Sequence, residues 1–147
     1  LHAGSALDGA RHGVQWIDYE AGGALDLSVT RGYTATGGHF LFHNDLGAAR
    51  ARRSLAVRVL DRTGHFTRMG AEVRLYDRSG QILATRQIST GDGYNSQGTQ
   101  PLHFGLASLE PVTLEVSFMG KAGRKTQRLE GIRPARFAGR ELVIKER

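Results

Sequence analysis

The sequence has no cysteine, only 3 prolines among its 147 residues, and no apolar run long enough to cross a bilayer as a helix. Without cysteine there is no disulfide framework, no thiolate for a Cys zinc site and no Cys nucleophile. Scarce proline, together with 39% hydrophobic and 23% charged residues, describes a folded globular chain rather than a disordered tail. Catalytic signatures are also missing: no G-x-S-x-G elbow, no Walker-type phosphate loop and no paired-carboxylate arrangement stands out. Gly91-Asp92-Gly93 lacks the third glycine and the following helix of a dinucleotide fingerprint. The histidines, His2, His12, His39, His43, His65 and His103, form no H-E-x-x-H pattern. On a strand His39 and His43 share a face but lie about 13 Å apart, too far for one ion. No signal peptide or targeting tail is visible and the chain opens at Leu1, which reads as a C-terminal fragment of a longer polypeptide.

What the sequence has in excess is glycine and basic charge. Twenty glycines scattered between short apolar runs suit a turn-rich all-β protein, because tight turns and bulges need residues that tolerate positive φ. Charge is unevenly placed. Residues 1–49 carry Arg11 and Arg31 against Asp8, Asp18, Glu20, Asp26 and Asp45, so the net +6 of the chain comes entirely from residues 50–147. The step coincides with Ala48-Ala49-Arg50-Ala51-Arg52-Arg53, and it places a domain boundary there.

Strand-length runs recur on both sides of that boundary. In residues 1–49 they are Val14 to Tyr19, Leu25 to Thr30 and His39 to His43, separated by glycine-bearing turns. Three or four antiparallel strands in some fifty residues is the size of one β-propeller blade, a unit that needs neighbours to bury both faces. In residues 50–147 they are Ser54 to Leu60, Ala71 to Tyr76, Ile82 to Ile88, Pro101 to Phe104, Val112 to Phe118, Thr126 to Leu129 and Glu141 to Ile144. Apolar residues alternate in Leu55, Val57, Val59, in Val73, Leu75 and in Val112, Leu114, Val116, Phe118, so each strand offers one face to a shared core and the set predicts an antiparallel β-sandwich. Asp77-Arg78-Ser79-Gly80 is predicted to be a hairpin turn with Gly80 left-handed.

Gly70-Ala71-Glu72-Val73-Arg74-Leu75, then Gly91-Asp92-Gly93-Tyr94-Asn95-Ser96-Gln97, then Leu102-His103-Phe104-Gly105-Leu106, then Val112 to Phe118, resemble the ASPIC/UnbV domain in order and spacing over residues 54–146. One departure is plain: the family's tryptophan-proline-x-glycine turn is replaced by Phe118-Met119-Gly120-Lys121-Ala122-Gly123, which predicts a reshaped hairpin. The resemblance implies a domain C-terminal to FG-GAP/VCBS-type repeats in a secreted, periplasmic or cell-surface protein, with residues 1–49 as the last, degenerate repeat. Asp18-Tyr19-Glu20-Ala21-Gly22-Gly23-Ala24-Leu25-Asp26-Leu27 is similar to the D-x-D-x-D-G-x-x-D calcium loop of those repeats. Asp18, Glu20 and Asp26 are the carboxylates left to ligate Ca²⁺, and Gly22 stands where a third loop carboxylate is expected, so affinity should be weak.

Two other groups invite a binding role. Tyr94, Asn95, Ser96 and Gln97 set an aromatic face beside amide and hydroxyl donors, as ligand loops do; the same residues also suit a self-bonded loop with Tyr94 as a plug. Arg50, Arg52 and Arg53, with Arg124, Lys125, Arg128, Arg133, Arg136 and Arg140, would form a polyanion patch if they gather on one face, or the wet side of a half-buried sheet if they do not. Aromatic interleaving of the single-stranded nucleic-acid kind is missing. The function expected is therefore a non-catalytic interaction or structural module whose partners are upstream propeller repeats of the same polypeptide and an extracellular protein or glycan. The alternatives are a domain that binds sulfated glycans or other anionic polymers, and part of an enzyme or biosynthetic accessory protein.

Overall fold

The first segment folds as its own antiparallel meander, in the order Arg11–Ile17 (β1), Asp26–Arg31 (β2) and Gly38–Phe42 (β3). The structure, a computed structural model, describes residues 11–32, 38–91 and 98–147. The registers Val14↔Val29↔Phe40 and Trp16↔Leu27↔Phe42 put six apolar side chains on one face, because directly opposed residues share a side. The other face carries Gln15, Ser28 and Leu41. Among the described residues no fourth strand completes a propeller blade, and none of these strands pairs with β4 to β10. β1 ends at Ile17 instead of running to Tyr19, because the Asp18 side chain turns the chain there and leaves Tyr19 68% exposed.

A four-residue helix, Ala48–Ala51 (α1), occupies the predicted boundary. Beyond it seven strands form two facing sheets. One has the order β10-β4-β7, with Ser54–Leu60 (β4) between Leu102–Gly105 (β7), antiparallel to it, and Glu141–Lys145 (β10), parallel to it. The other has the order β6-β5-β8-β9, all antiparallel: Glu72–Tyr76 (β5), Ile82–Gln87 (β6), Val112–Gly120 (β8) and Gly123–Ile132 (β9). Between the sheets lie the alternating residues expected from sequence, Leu55, Val57, Val59, Val73, Leu75, Leu114 and Val116, each at most 1% exposed. Each such side chain contributes about 1.5–3 kcal/mol relative to an exposed one, so this layer is the main source of the domain's stability. Long polar side chains close the open edges: the Arg86 guanidinium of β6 reaches the His103 carbonyl of β7 at 3.4 Å, and the Gln127 amide of β9 reaches the Lys145 carbonyl of β10 at 3.4 Å.

Gly120-Lys121-Ala122-Gly123 forms the hairpin between β8 and β9. Gly120 pairs with Gly123, whose φ of 97° is left-handed, so β8 and β9 run right up to the loop and β9 is far longer than 126–129.

Two other turns use one device. Asp77 accepts from the Ser79 and Gln81 backbone N–H groups, at 2.8 and 2.9 Å, and from the Ser79 hydroxyl, with Gly80 at φ 86°. The sequence repeats it at Asp61-Arg62-Thr63-Gly64-His65: Asp61 accepts from Thr63 and His65 N–H at 2.8 and 2.9 Å, and Gly64 has φ 94°. The Thr67 hydroxyl adds a further bond to Asp61 at 2.6 Å. Hydrogen bonds to the charged form hold both carboxyls below the usual range, chiefly the Thr67 hydroxyl at Asp61 and the Ser79 hydroxyl at Asp77. Folded values lie below unfolded ones, so the stabilisation is present above the ordinary carboxylate value of 3.8 and is lost as pH falls through the folded values. The Asp61→Asn/Asp77→Asn double variant is expected to melt below the wild type near neutral pH, with the gap narrowing as pH falls below about 4. Urea or thermal melts across that range check it; a gap that stays constant would contradict it.

Candidate functional site

The residues that join the first sheet to the sandwich lie in the turn after β1. Both carboxylate oxygens of Asp18 accept backbone N–H groups, from Gly22 at 2.9 Å and from Gly23 at 2.8 Å, and this folds the loop tightly enough to put Ala21 at φ 53°. Gly23 then meets α1 closely. Its φ is 91°, and a Cβ there would overlap the Ala51 carbonyl oxygen. The Gly23 carbonyl accepts from the His103 Nε2–H of β7 at 3.0 Å. His103 is held there because its neighbour Phe104 points into the sandwich core, which turns the imidazole outward.

This contact opens a cleft of about 590 Å³ between the two units. Trp16 and Leu25 line it from the first segment; Arg86, His103, Phe137 and Arg140 line it from the sandwich side. Trp16 is 58% exposed, although it belongs to the apolar face of its sheet. The acidic groups at the rim are already engaged: Asp18 by its loop, and Glu141 by a two-pronged ion pair with Arg58, one arm of which is 2.7 Å. Arg140 lies over the Phe137 ring at 5.7 Å and donates to the Arg136 carbonyl at 2.7 Å. No carboxylate of the described residues pairs with Arg86 or Arg140. The mouth therefore offers an aromatic surface beside two guanidiniums.

Sequence reasoning pointed elsewhere. Asp18, Glu20 and Asp26 do line one smaller cleft of about 340 Å³, together with Asp45 and His43. Asp26, only 3% exposed, accepts from the Asn44 backbone N–H at 2.8 Å and faces His43 Nδ1 at 3.2 Å. No three metal-ligating side chains converge among the described residues. The basic residues divide. Arg124 and Arg128 lie on the outer face of the four-stranded sheet beside Glu115, at 4.0 and 3.7 Å; Arg128 also pairs with Glu130 at 3.2 Å and stacks over Tyr76 at 5.2 Å. Lys125 points to the other face of β9, in register with the core residue Phe118, and reaches the Arg147 carbonyl. Arg133 and Arg136 belong to the 3₁₀ segment around Pro134–Phe137, which packs on β4 in the opposite sheet. Tyr94, Asn95, Ser96 and Gln97 lie outside the described residues.

Removing the Asp26 carboxylate leaves the Asn44 N–H without its acceptor. Asp26→Ala is therefore expected to cost about 1–3 kcal/mol in a urea melt run in chelator; an unchanged midpoint would show that the carboxylate is not holding the β2–β3 corner.

A family profile described as ASPIC and UnbV matches residues 62–147. Among curated proteins, and likewise among solved structures, nothing matches the chain. The matched span takes in β5 to β10, begins just after β4 and leaves β1 to β3 outside it. Covering more than half of the sequence, it places the sandwich in a known family: this chain belongs to the ASPIC and UnbV family.

Proposed function

We propose that the chain is a non-catalytic interaction module of an exported, repeat-bearing polypeptide, and that it binds its partner in the cleft between the first sheet and the sandwich. The observation that carries this reading is the cleft itself: an exposed indole, two guanidiniums without carboxylate partners among the described residues, and a lining hydroxyl and imidazole, Ser54 and His103, that each bond a backbone carbonyl and not one another. Such a mouth holds a ligand and has no group placed to transform it. Secretion, or a periplasmic or cell-surface location, is supported by the family resemblance. The place of β1 to β3 as the last repeat of a propeller is supported by their size and their one apolar face, on which Val14 is 46% exposed. The domain boundary near residue 50 is supported by α1 and, among the described residues, by the absence of strand pairing across it.

The test is recovery of bound material. A ligand captured from immobilised glycans or extracellular proteins, and lost on Arg86→Glu or Arg140→Glu, is expected to be released with its mass unchanged. Release of an altered mass would contradict the non-catalytic reading, and retention by both variants would contradict the site.

A weak calcium site is the second reading, favoured by the fact that Asp18, Glu20, Asp26 and Asp45 line one cleft. It requires Asp18 and Asp26 to share oxygens with the N–H groups they already accept. It further requires a saturable, Asp26-dependent rise in melting temperature with added Ca²⁺; a flat titration leaves the carboxylates as turn-formers only.

A further inference from the structure

Four features of the 590 Å³ cleft narrow what it binds. Its volume suits a small ligand or a terminal unit of a larger one, not a long stretch of polymer. Trp16 presents an indole that is 58% exposed, the kind of flat amphipathic surface on which a pyranose ring stacks. Arg86 and Arg140 supply forked donors whose hydrogen-bond partners among the described residues are backbone carbonyls, with Arg140 also lying over the Phe137 ring. Gln100 and Ser54 add a neutral amide and a hydroxyl on the same walls. A peptide strand is the weaker fit. The exposed edge of β7 is the place where one would add, and the Arg86 guanidinium already takes up the His103 carbonyl there.

We infer that this cleft binds an anionic saccharide unit, with Trp16 as the stacking surface and Arg86 and Arg140 as the groups that hold its carboxylate or sulfate. The inference rests on the proposed interaction-module reading and names the ligand class of the same site. The patch residues Arg124 and Arg128 take no part in it, because Glu115 and Glu130 already face them across the outer sheet.

The sequence provides a reporter, since Trp16 is its only tryptophan. The experiment titrates the whole chain, followed by Trp16 fluorescence and by calorimetry, with digalacturonic acid, a sulfated disaccharide, neutral lactose and a hexaglutamate peptide. The expected result is a saturable change with the uronate or the sulfated sugar, whichever anion the two guanidiniums fit, and at least roughly tenfold weaker binding of lactose and hexaglutamate. Arg86→Gln and Arg140→Gln should each weaken the anionic sugar about tenfold, while Arg124→Gln and Arg128→Gln leave it unchanged. Equal binding of lactose would overturn the anion requirement. Binding that follows Arg124 and Arg128 would move the site to the outer sheet and overturn both this inference and the cleft reading. Hexaglutamate binding as tightly, and through Arg86 and Arg140, would overturn the saccharide class while keeping the cleft as the interaction site. No response to any of the four up to about 10 mM, a concentration at which even weak specific sites fill, would overturn the inference.

Discussion

The contact between Gly23 and Ala51 sets how the two β units meet. A hydrogen at Cα is the largest substituent that fits against the Ala51 carbonyl, and the positive φ of Gly23 is one that other residues adopt only with strain. The peptide on either side of this glycine is used in both directions. Its N–H is held by Asp18 and its carbonyl is held by His103, so the loop is tied to its own strand and to β7 at one point. The cleft, which Trp16 lines from one side and Arg86 and Arg140 from the other, lies beside that anchorage.

The sandwich supplies the rigid half of the arrangement. Its core is built from branched and aromatic side chains at every second position of β4, β5 and β8, and its two edges are closed by polar side chains that bond carbonyls of the opposite sheet. The basic surplus of the sequence is distributed by the same geometry. Arginines on the outer face of the four-stranded sheet sit beside Glu72, Glu115 and Glu130, so they are largely neutralised where they stand. Two of the cations that no carboxylate of the described residues pairs, Arg86 and Arg140, line the cleft, one from an edge strand and one from the turn that leads into β10.

Much of the fold was legible because its signal is local. Alternation in Leu55, Val57, Val59 and in Leu114, Val116, Phe118 names both the strands and the faces they bury, and Asp77-Arg78-Ser79-Gly80 carries its turn chemistry within four residues. Where local signal misled, a side chain decided. Asp18 ended β1 early by capping its own loop, and the left-handed Gly123, paired with Gly120, carried β9 up to the hairpin. The twin of the Asp77 turn, at Asp61, was readable from the same motif and went unread. The cleft was not legible at all: Trp16, Arg86, His103 and Arg140 come from four separate elements, and no spacing along the chain relates them. The carboxylates Asp18 and Asp26 did stand out in sequence, yet each answers first to backbone N–H groups beside it.

Hydrogen exchange on Gly23→Ala, with Gly80→Ala as its control, tests most directly whether the Gly23 anchorage holds the two units together. Both glycines have positive φ, near 90°, but only Gly23 has backbone where a Cβ would go; at Gly80 nothing lies within 4 Å. The control therefore carries the conformational strain without the clash. The result predicted is loss of amide protection through β1 and β2 in Gly23→Ala, with β5 and β8 still protected, and no loss in β1 and β2 for Gly80→Ala. Equal protection of β1 and β2 in the two variants would contradict the claim that the Gly23 contact holds the first sheet in place.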